Sequence, residues 1–315
     1  MANAELNCAL LAGGTGGAKL AVGLRDILHG FDDEPAEQPG QLNVIANTGD
    51  DIEIYDVHVS PDPDLISFRL ADALDERGFG VRGEAHHAMD LRRDAGEAVW
   101  FELGDDDLAV CAQRAAALAD GKSLTEAHRM AIAAYPAGGA VVLPMCDAPV
   151  RTVVETTIGP RGIQQFLIQD QSKPEIVRVD FEGAEHARAT NSVVDAIDMA
   201  DLIIVGPSNP IISIGPILAV PGIREAIVES RAPVLAVSPF VDGAVLKGPT
   251  EKFLVAAGHE PNVAGVAAYY GDLVDAWVAD EPVIGRPHHL ASVAMPDPLS
   301  TRAVAAEILR YGASL

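Results

Sequence analysis

The chain has 315 residues, 49% hydrophobic and 22% charged, enough apolar material for a substantial core and too much for wholesale disorder. Its 46 acidic residues against 22 Lys and Arg give a formal net charge of −24, a field that repels nucleic-acid backbones and anionic membranes and argues against both as partners. An anionic small molecule would need local positive potential from helix N-termini, a few basic residues or a bound metal. The three cysteines, Cys8, Cys111 and Cys146, show no Cys-x-x-Cys spacing and fit a reducing cytosol better than a disulfide or zinc framework. Met1-Ala2-Asn3-Ala4-Glu5 lacks the basic start of a signal peptide, and no run of about 18 apolar residues occurs, so a cytoplasmic protein is expected.

Residues 8–12 read as a buried strand that stops at Gly13-Gly14-Thr15-Gly16-Gly17-Ala18-Lys19, after which Leu20, Val22, Leu24 and Leu28 supply the apolar face of a helix. Strand, glycine turn and helix open a nucleotide-binding βαβ unit, with N–H groups at the helix start free for phosphate oxygens. Lys19 stands where the dinucleotide fingerprint has its third glycine, and Ala18-Lys19 lacks the Gly-Lys-Ser/Thr of a P-loop. The turn nevertheless reads as phosphate binding, through Gly13, Gly14, Thr15, Gly16, Gly17 and Lys19. The alternative is a plain tight turn with a solvated lysine.

A polar loop over residues 31–41 leads into Val44-Ile45-Ala46-Asn47-Thr48-Gly49-Asp50-Asp51, a buried strand that delivers two carboxylates to the carboxyl edge of a parallel sheet. Asp50 and Asp51 there can hold Mg²⁺ while substrate phosphates complete its shell, or simply form a capped turn. A strand at Val57-His58-Val59 breaks at two prolines, with Asp64 placed to cap a helix over 65–74. Residues 72–135 read as mainly helical, an insertion covering the sheet edge, in which His86-His87 and Asp105-Asp106-Asp107 read as solvated surface.

Strands are expected at 141–144 and 151–157, with 162–168 and 175–179 extending an antiparallel patch. A helix over 192–199, a strand over 201–205, a helix over 223–230 and a strand over 233–237 resume the alternation. A helix from Thr250, a strand over 291–295 and a helix over 300–309 close the fold. Gly206-Pro207-Ser208-Asn209-Pro210 has proline where a nucleophile elbow needs glycine, so Ser208 and Asn209 suit nucleotide hydrogen bonding better than hydrolysis. Ile214-Gly215-Pro216-Ile217 reads as a further helix start with an exposed donor edge. The fold class is α/β: a Rossmann-like, mostly parallel sheet with helices on both faces and a mainly helical inserted lid. The segments are 1–71 (core, first part), 72–140 (lid), 141–190 (β-rich extension) and 191–315 (core, second part).

The glycine turn at 11–19, Asn47-Thr48-Gly49-Asp50-Asp51, Ser60-Pro61-Asp62 with Asp64, Gly206-Pro207-Ser208-Asn209-Pro210, Pro221-Gly222-Ile223-Arg224, Ser238-Pro239 and Lys247-Gly248-Pro249 occur in an order that resembles the 2-phospho-L-lactate transferase family of coenzyme F420 biosynthesis. The resemblance runs almost end to end. It implies a cytosolic, Mg²⁺-dependent homodimer that moves a phospho-hydroxyacid (phospholactate, phosphoenolpyruvate or phosphoglycerate) from a GDP-activated donor to the ribityl hydroxyl of the deazaflavin Fo, releasing GMP. It further implies Asp50 and Asp51 as metal and catalytic carboxylates, Asp51 the more critical. Nucleotide and phosphate contacts would come from Gly13 to Gly17, Lys19, Ser208, Asn209 and Gly215. Acceptor contacts would come from Asn47, Asp51, Asp62 and Asp64, with Met89 and Asp90 near where the family has a polar acceptor-binding residue.

The departures fall on the acceptor side. Gly78-Phe79-Gly80 and Glu84-Ala85-His86-His87-Ala88 replace an aromatic-rich stretch, Asp106 stands where a basic residue is expected, and an aromatic pair expected after Gln165 is missing. Two other readings compete: a nucleotide-sugar-binding regulatory protein of the distantly similar gluconeogenesis-factor group, and an NAD-dependent oxidoreductase, which the missing third glycine disfavours. The same nucleotide chemistry on a different alcohol is a further alternative.

Overall fold

Short runs such as Cys8-Ala9-Leu10-Leu11-Ala12 are apolar at every position because both faces of their sheet are covered. A computed structural model describes residues 6–31, 34–35 and 39–315. Much of the loop expected at 31–41 lies outside the described residues, as does Met1-Ala2-Asn3-Ala4-Glu5. Seven parallel strands form the main sheet, in the spatial order Val141–Pro144, Leu42–Ala46, Cys8–Ala12, Leu202–Val205, Val234–Val237, Ala276–Ala279, His288–Leu290. Growth proceeds outward from Cys8–Ala12 in one direction and then from its other side, so the strand order reverses between Cys8–Ala12 and Leu202–Val205. In α/β sheets that reversal opens a crevice for ligand.

Alternate strand residues feed two cores. Leu11, Ile45, Ile203 and Val205 pack beneath helices Asn191–Asp198, Ile223–Glu229 and Val263–Tyr270, while Leu10, Val44, Leu202 and Ile204 pack beneath Gly14–His29 and Pro298–Gly312. The α/β class with helices on both faces is therefore as expected. Three helices, His87–Asp94, Asp105–Ala119 and Leu124–Ala131, lie between the second and third parallel strands. The last of them starts with Ser123 accepting from the Glu126 N–H and Glu126 reaching back, a capping box. A separate antiparallel sheet runs Ile176–Glu182, Arg151–Thr156, Gly159–Gly162.

Several expectations need correction. Val141–Pro144, grouped by sequence with the β-rich extension, is an edge strand of the main sheet. Of residues 162–168 only Gly162 belongs to a strand, Gly159–Gly162; a π-helical turn, Gln165–Gln169, occupies most of the rest. The helix expected at 65–74 begins at Pro61 and ends at Leu70, because a proline is well suited to a first helical position, and Asp64 lies inside its first turn instead of capping it. The last strand is His288–Leu290, and residues 291–295 belong to no strand, with the Ala291 N–H donating to the Ala279 carbonyl (2.9 Å). Ala276–Ala279 and Val263–Tyr270 went unread: four residues of Ala-Trp-Val-Ala and an almost uniformly apolar helix carry little periodicity.

Gly23 sits where the first and last helices touch. A Cβ there would lie 2.6 Å from the Thr301 carbonyl oxygen and 3.1 Å from Ala305 Cβ. In an exposed helix Gly→Ala is worth about 0.5–1 kcal/mol of stability, but forcing a methyl group against backbone costs about 1–3 kcal/mol. Gly23→Ala is therefore expected to lower the urea midpoint at unchanged m-value; a raised midpoint would show that the helices separate freely.

Candidate functional site

At the strand-order reversal the glycine turn meets the turn after Leu202–Val205. The Ser208 hydroxyl accepts the Gly13 N–H (3.2 Å) and donates to the Gly13 carbonyl (2.8 Å). A side chain on Gly16 would run into the Pro207 carbonyl at 2.2 Å, and one on Gly13 into the Asp62 carboxylate at 2.5 Å. The glycines are thus required by the close approach of three segments. Gly14, at φ +61°, also needs the left-handed region. A cleft of about 1170 Å³ opens here, lined by the turn, the acids of residues 50–64, the lid and the loop 238–250.

Asn47 organises the acids. Its Nδ2 donates to Asp50 Oδ1 (3.0 Å), Asp62 Oδ2 (3.0 Å) and the Ile212 carbonyl (3.3 Å), while its Oδ1 accepts the Gly49 N–H (2.7 Å). Asp62 Oδ1 accepts the Gly14 N–H (2.8 Å), joining acids to glycine turn. Burial, and next the charge of Asp62, hold the Asp50 pKa well above the ordinary carboxylate range. Burial pushes Asp62 up to about 6 against its hydrogen bonds from Asn47 and Gly14. Both carboxylates line the cleft.

Asp51 does not. Its Oδ1 accepts from Ser60 Oγ (2.8 Å) and its Oδ2 pairs with His58 Nε2 (2.9 Å), under a fully covered side chain. Burial would lower the His58 pKa, but the hydrogen bond and charge of Asp51, joined by Glu53, raise it. The expected pair Asp50 and Asp51 is therefore divided, and the second carboxylate beside Asp50 is Asp62.

Asp64 lines the cleft and pairs with Arg114, a wholly buried arginine that also donates to the His58 carbonyl (3.0 Å). Sequence reading missed Arg114; its one signal is a lone base between Cys111 and Ala117 on the alanine-rich helix. Ser208 is engaged with Gly13, and Asn209 accepts from Ile211 and Ile212 N–H and donates to Thr250 Oγ1 (3.2 Å), so both build the site. Gly17 packs on Ala12 and Ser208 behind the cleft. Gly215, expected at an exposed donor edge, is buried against Phe181 and Tyr269. Met89 lies in the lid's own core with Val57, Val59 and Phe101, whereas Asp90 is on the cleft rim, paired with Arg93 (2.7 Å).

The acid run on the lid is not uniformly solvated. Asp105 accepts the His87 and Ala88 N–H groups, Asp106 is exposed and Asp107 faces the cleft. His86 also lines the cleft, while His87 is exposed and pairs with Asp105. Trp100 and Phe101, overlooked in the sequence, bring two edge-to-face rings, 5.7 Å apart, to the same cavity.

Burial, then the charges of Asp64 and Glu84, push Asp107 up to about 8. Between pH 3.8 and about 8 the folded protein keeps a proton that the unfolded chain has released, so this group makes stability fall as pH rises through that window. Asp107→Asn should accordingly stabilise the metal-free protein by about 1 kcal/mol or more above pH 8, with the gain vanishing near pH 4. Thermal melts across pH 4–9 check this; a gain independent of pH would refute the assignment.

Comparison with known proteins shows the family. Residues 8–294 match the family described as 2-phospho-L-lactate transferase CofD. The 2-phospho-L-lactate transferase of Methanosarcina acetivorans is 36% identical over 273 residues, covering 86% of this chain and 85% of that protein. The phosphoenolpyruvate transferase of Streptomyces griseus is 38% identical over 278 residues (86% and 84% covered), and that of Thermobifida fusca 36% over 308 residues (94% of each). A crystal structure of a UPF0052-family protein from Bacillus halodurans superposes with a TM-score of 0.62 at 17% identity, covering 97% of this chain and 99% of that one, which shows the fold alone. The chain is a transferase that belongs to the 2-phospho-L-lactate transferase family.

Proposed function

We propose that this chain transfers a phospho-hydroxyacid from a GDP-activated donor to the terminal ribityl hydroxyl of Fo, releasing GMP, in coenzyme F420 biosynthesis. The observation that carries this reading is a single cleft in which a buried acid pair is bonded to the glycine turn and an aromatic pair lines the lid side. Relatives bearing both the phospholactate and the phosphoenolpyruvate names match this chain equally well, so the hydroxyacid is left as a class.

Asp50 and Asp62 suit a hard divalent cation: two buried carboxylates with raised pKa values, where a cation would relieve the cost of ionisation. They would hold Mg²⁺, which supplies charge neutralisation at the phosphate oxygens. Asp51, with both oxygens committed, steadies the loop through Ser60 and His58. First-turn N–H groups of a helix have no intrahelical acceptor; that of Gly14 is taken by Asp62, which leaves Thr15 and Gly16 to donate to phosphate. As the hydroxyl oxygen bonds to phosphorus, its proton passes to the carboxylate cluster and the bond to GMP breaks with its electron pair on the GMP phosphate. Trp100 and Phe101 offer the ring surface that the drifted segment at 84–88 lacks. Three free, buried cysteines support a reducing compartment, and hence cytoplasmic placement. The homodimer is kept as part of this proposal; light scattering at twice 33.0 kDa checks it.

Purified protein incubated with Mg²⁺, Fo and each GDP-activated donor is expected to yield the phosphodiester by mass spectrometry, and chelation should abolish it. No product with Fo but product with another alcohol would favour the same chemistry on a different acceptor. Trp100→Ala is expected to raise KM for Fo roughly fivefold to tenfold, a stacking contact being worth about 1 kcal/mol, with KM for the donor unchanged. Equal loss for both substrates would place Trp100 outside the acceptor subsite.

A further inference from the structure

Two carboxylates and a thiol meet where the lid joins the core. Asp107 and Cys111 stand one turn apart on helix Asp105–Ala119, against Asp64 in the first turn of helix Pro61–Leu70. One ligand atom from each lies within 4.8 Å of the other two, and Cys111 Sγ is 4.0 Å from Asp107 Oδ1. Arg114 holds Asp64 Oδ1, whereas Oδ2 is buried without a hydrogen-bond partner on a residue 4% exposed. A second orphan adjoins it. His128, 1% exposed, sets an unpartnered Nδ1 3.7 Å from Asp64 Oδ1. Ser67 Oγ donates to the Pro63 carbonyl (2.7 Å), so in its contact with His128 Nε2 (3.4 Å) it accepts, which puts the imidazole proton on Nε2 and leaves Nδ1 a bare lone pair. His128 therefore brings Asp64 no proton.

Buried acceptors with no donor are costly. We infer that Asp64, Asp107 and Cys111 form a site for a thiophilic divalent cation of the zinc class, separate from the acid pair Asp50 and Asp62. Charge supports the valence: two carboxylates and a thiolate are balanced by the Arg114 guanidinium and one divalent ion. Ligand chemistry supports the class, because a thiolate selects zinc-like ions whereas Mg²⁺ takes oxygen ligands. Ligands about 2.0–2.3 Å from one ion lie roughly 3.5–4.5 Å apart, so small side-chain rotations close the group. Asp64 and Asp107 line the cleft, which gives the ion its way in, and Arg114 orients Asp64 as an outer partner orients a metal ligand. Binding releases the Cys111 proton to solvent and ties the lid to the core.

The test uses the full chain, stripped with a chelator and returned to saturating Mg²⁺ so that the Asp50 and Asp62 pair is filled, then titrated with Zn²⁺ by calorimetry and with Co²⁺ by absorption. Wild type is expected to take up one equivalent of either ion, to show thiolate-to-cobalt charge-transfer absorption in the near ultraviolet, and to melt at a higher temperature with Zn²⁺ present. Cys111→Ala is expected to lose the charge-transfer band and to weaken Zn²⁺ by at least the roughly tenfold that even an outer partner of a ligand is worth. Cys111→Ser, which keeps the side-chain volume, should behave alike, and melts verify that each variant folds. Asp107→Asn keeps the thiol and should weaken Zn²⁺ by a similar factor. Cys8→Ala should change neither readout, Cys8 being buried in the first strand. No charge-transfer band in wild type, a band that survives in both Cys111 variants, or Zn²⁺ affinity unchanged in Cys111→Ala and Asp107→Asn would overturn the site. None of these readouts involves the nucleotide donor or Fo, so the outcome is independent of the transferase reading.

Discussion

One carboxamide holds the site together. Asn47 donates to two buried carboxylates, Asp50 and Asp62, that arrive from different segments of the chain and repel each other. Without that shared donor, two such groups under cover would be costly, since an unpaired buried charge loses its hydration with little return. The position of Asn47 is in turn fixed by the sheet: its N–H donates to the Ala12 carbonyl (3.1 Å), so the residue that gathers the acids is anchored to the strand that carries the glycine turn. Acid pair, glycine turn and strand-order reversal are consequences of one register.

Around this point the molecule stores unfavourable electrostatics among its buried acids. Asp50, Asp62, Asp64 and Asp107 crowd the cleft with pKa values raised by burial. A divalent cation of the kind proposed above would remove a cost already present in the folded protein; stability is given up where function requires it.

The lid is fastened to the acids through Arg114, which bonds at once to Asp64 and to the His58 carbonyl. His58 also contacts Asp51, so a single buried network joins the helix Asp105–Ala119 to the loop behind Asp50. The helix brings Asp107 to the cleft, and the segment before it brings Trp100 and Phe101. Lid position and acid geometry are thus set by shared hydrogen bonds, in which every member needs its partner.

The sequence by itself determined the architecture and the glycine turn, because apolar runs covered on both faces and a strand–glycine–helix boundary are local patterns. It also placed Asn47, Asp50 and Ser208 at strand tips, where parallel sheets present their ligands. It could not decide which side chains face the cleft. Asp50 and Asp51 are neighbours of identical chemistry, and only the contacts of Ser60 and His58 turn one of them inward. Met89 and Asp90 differ in the same way, one in the lid core and the other on the rim. Gly215 is a glycine for packing against Phe181 and Tyr269, which lie far away in the chain. Trp100 and Phe101 become site residues only when elements separated by tens of residues converge, and no periodicity records such a meeting. Local pattern fixes which elements form; long-range packing and the pairing of buried charge fix which residues serve the site.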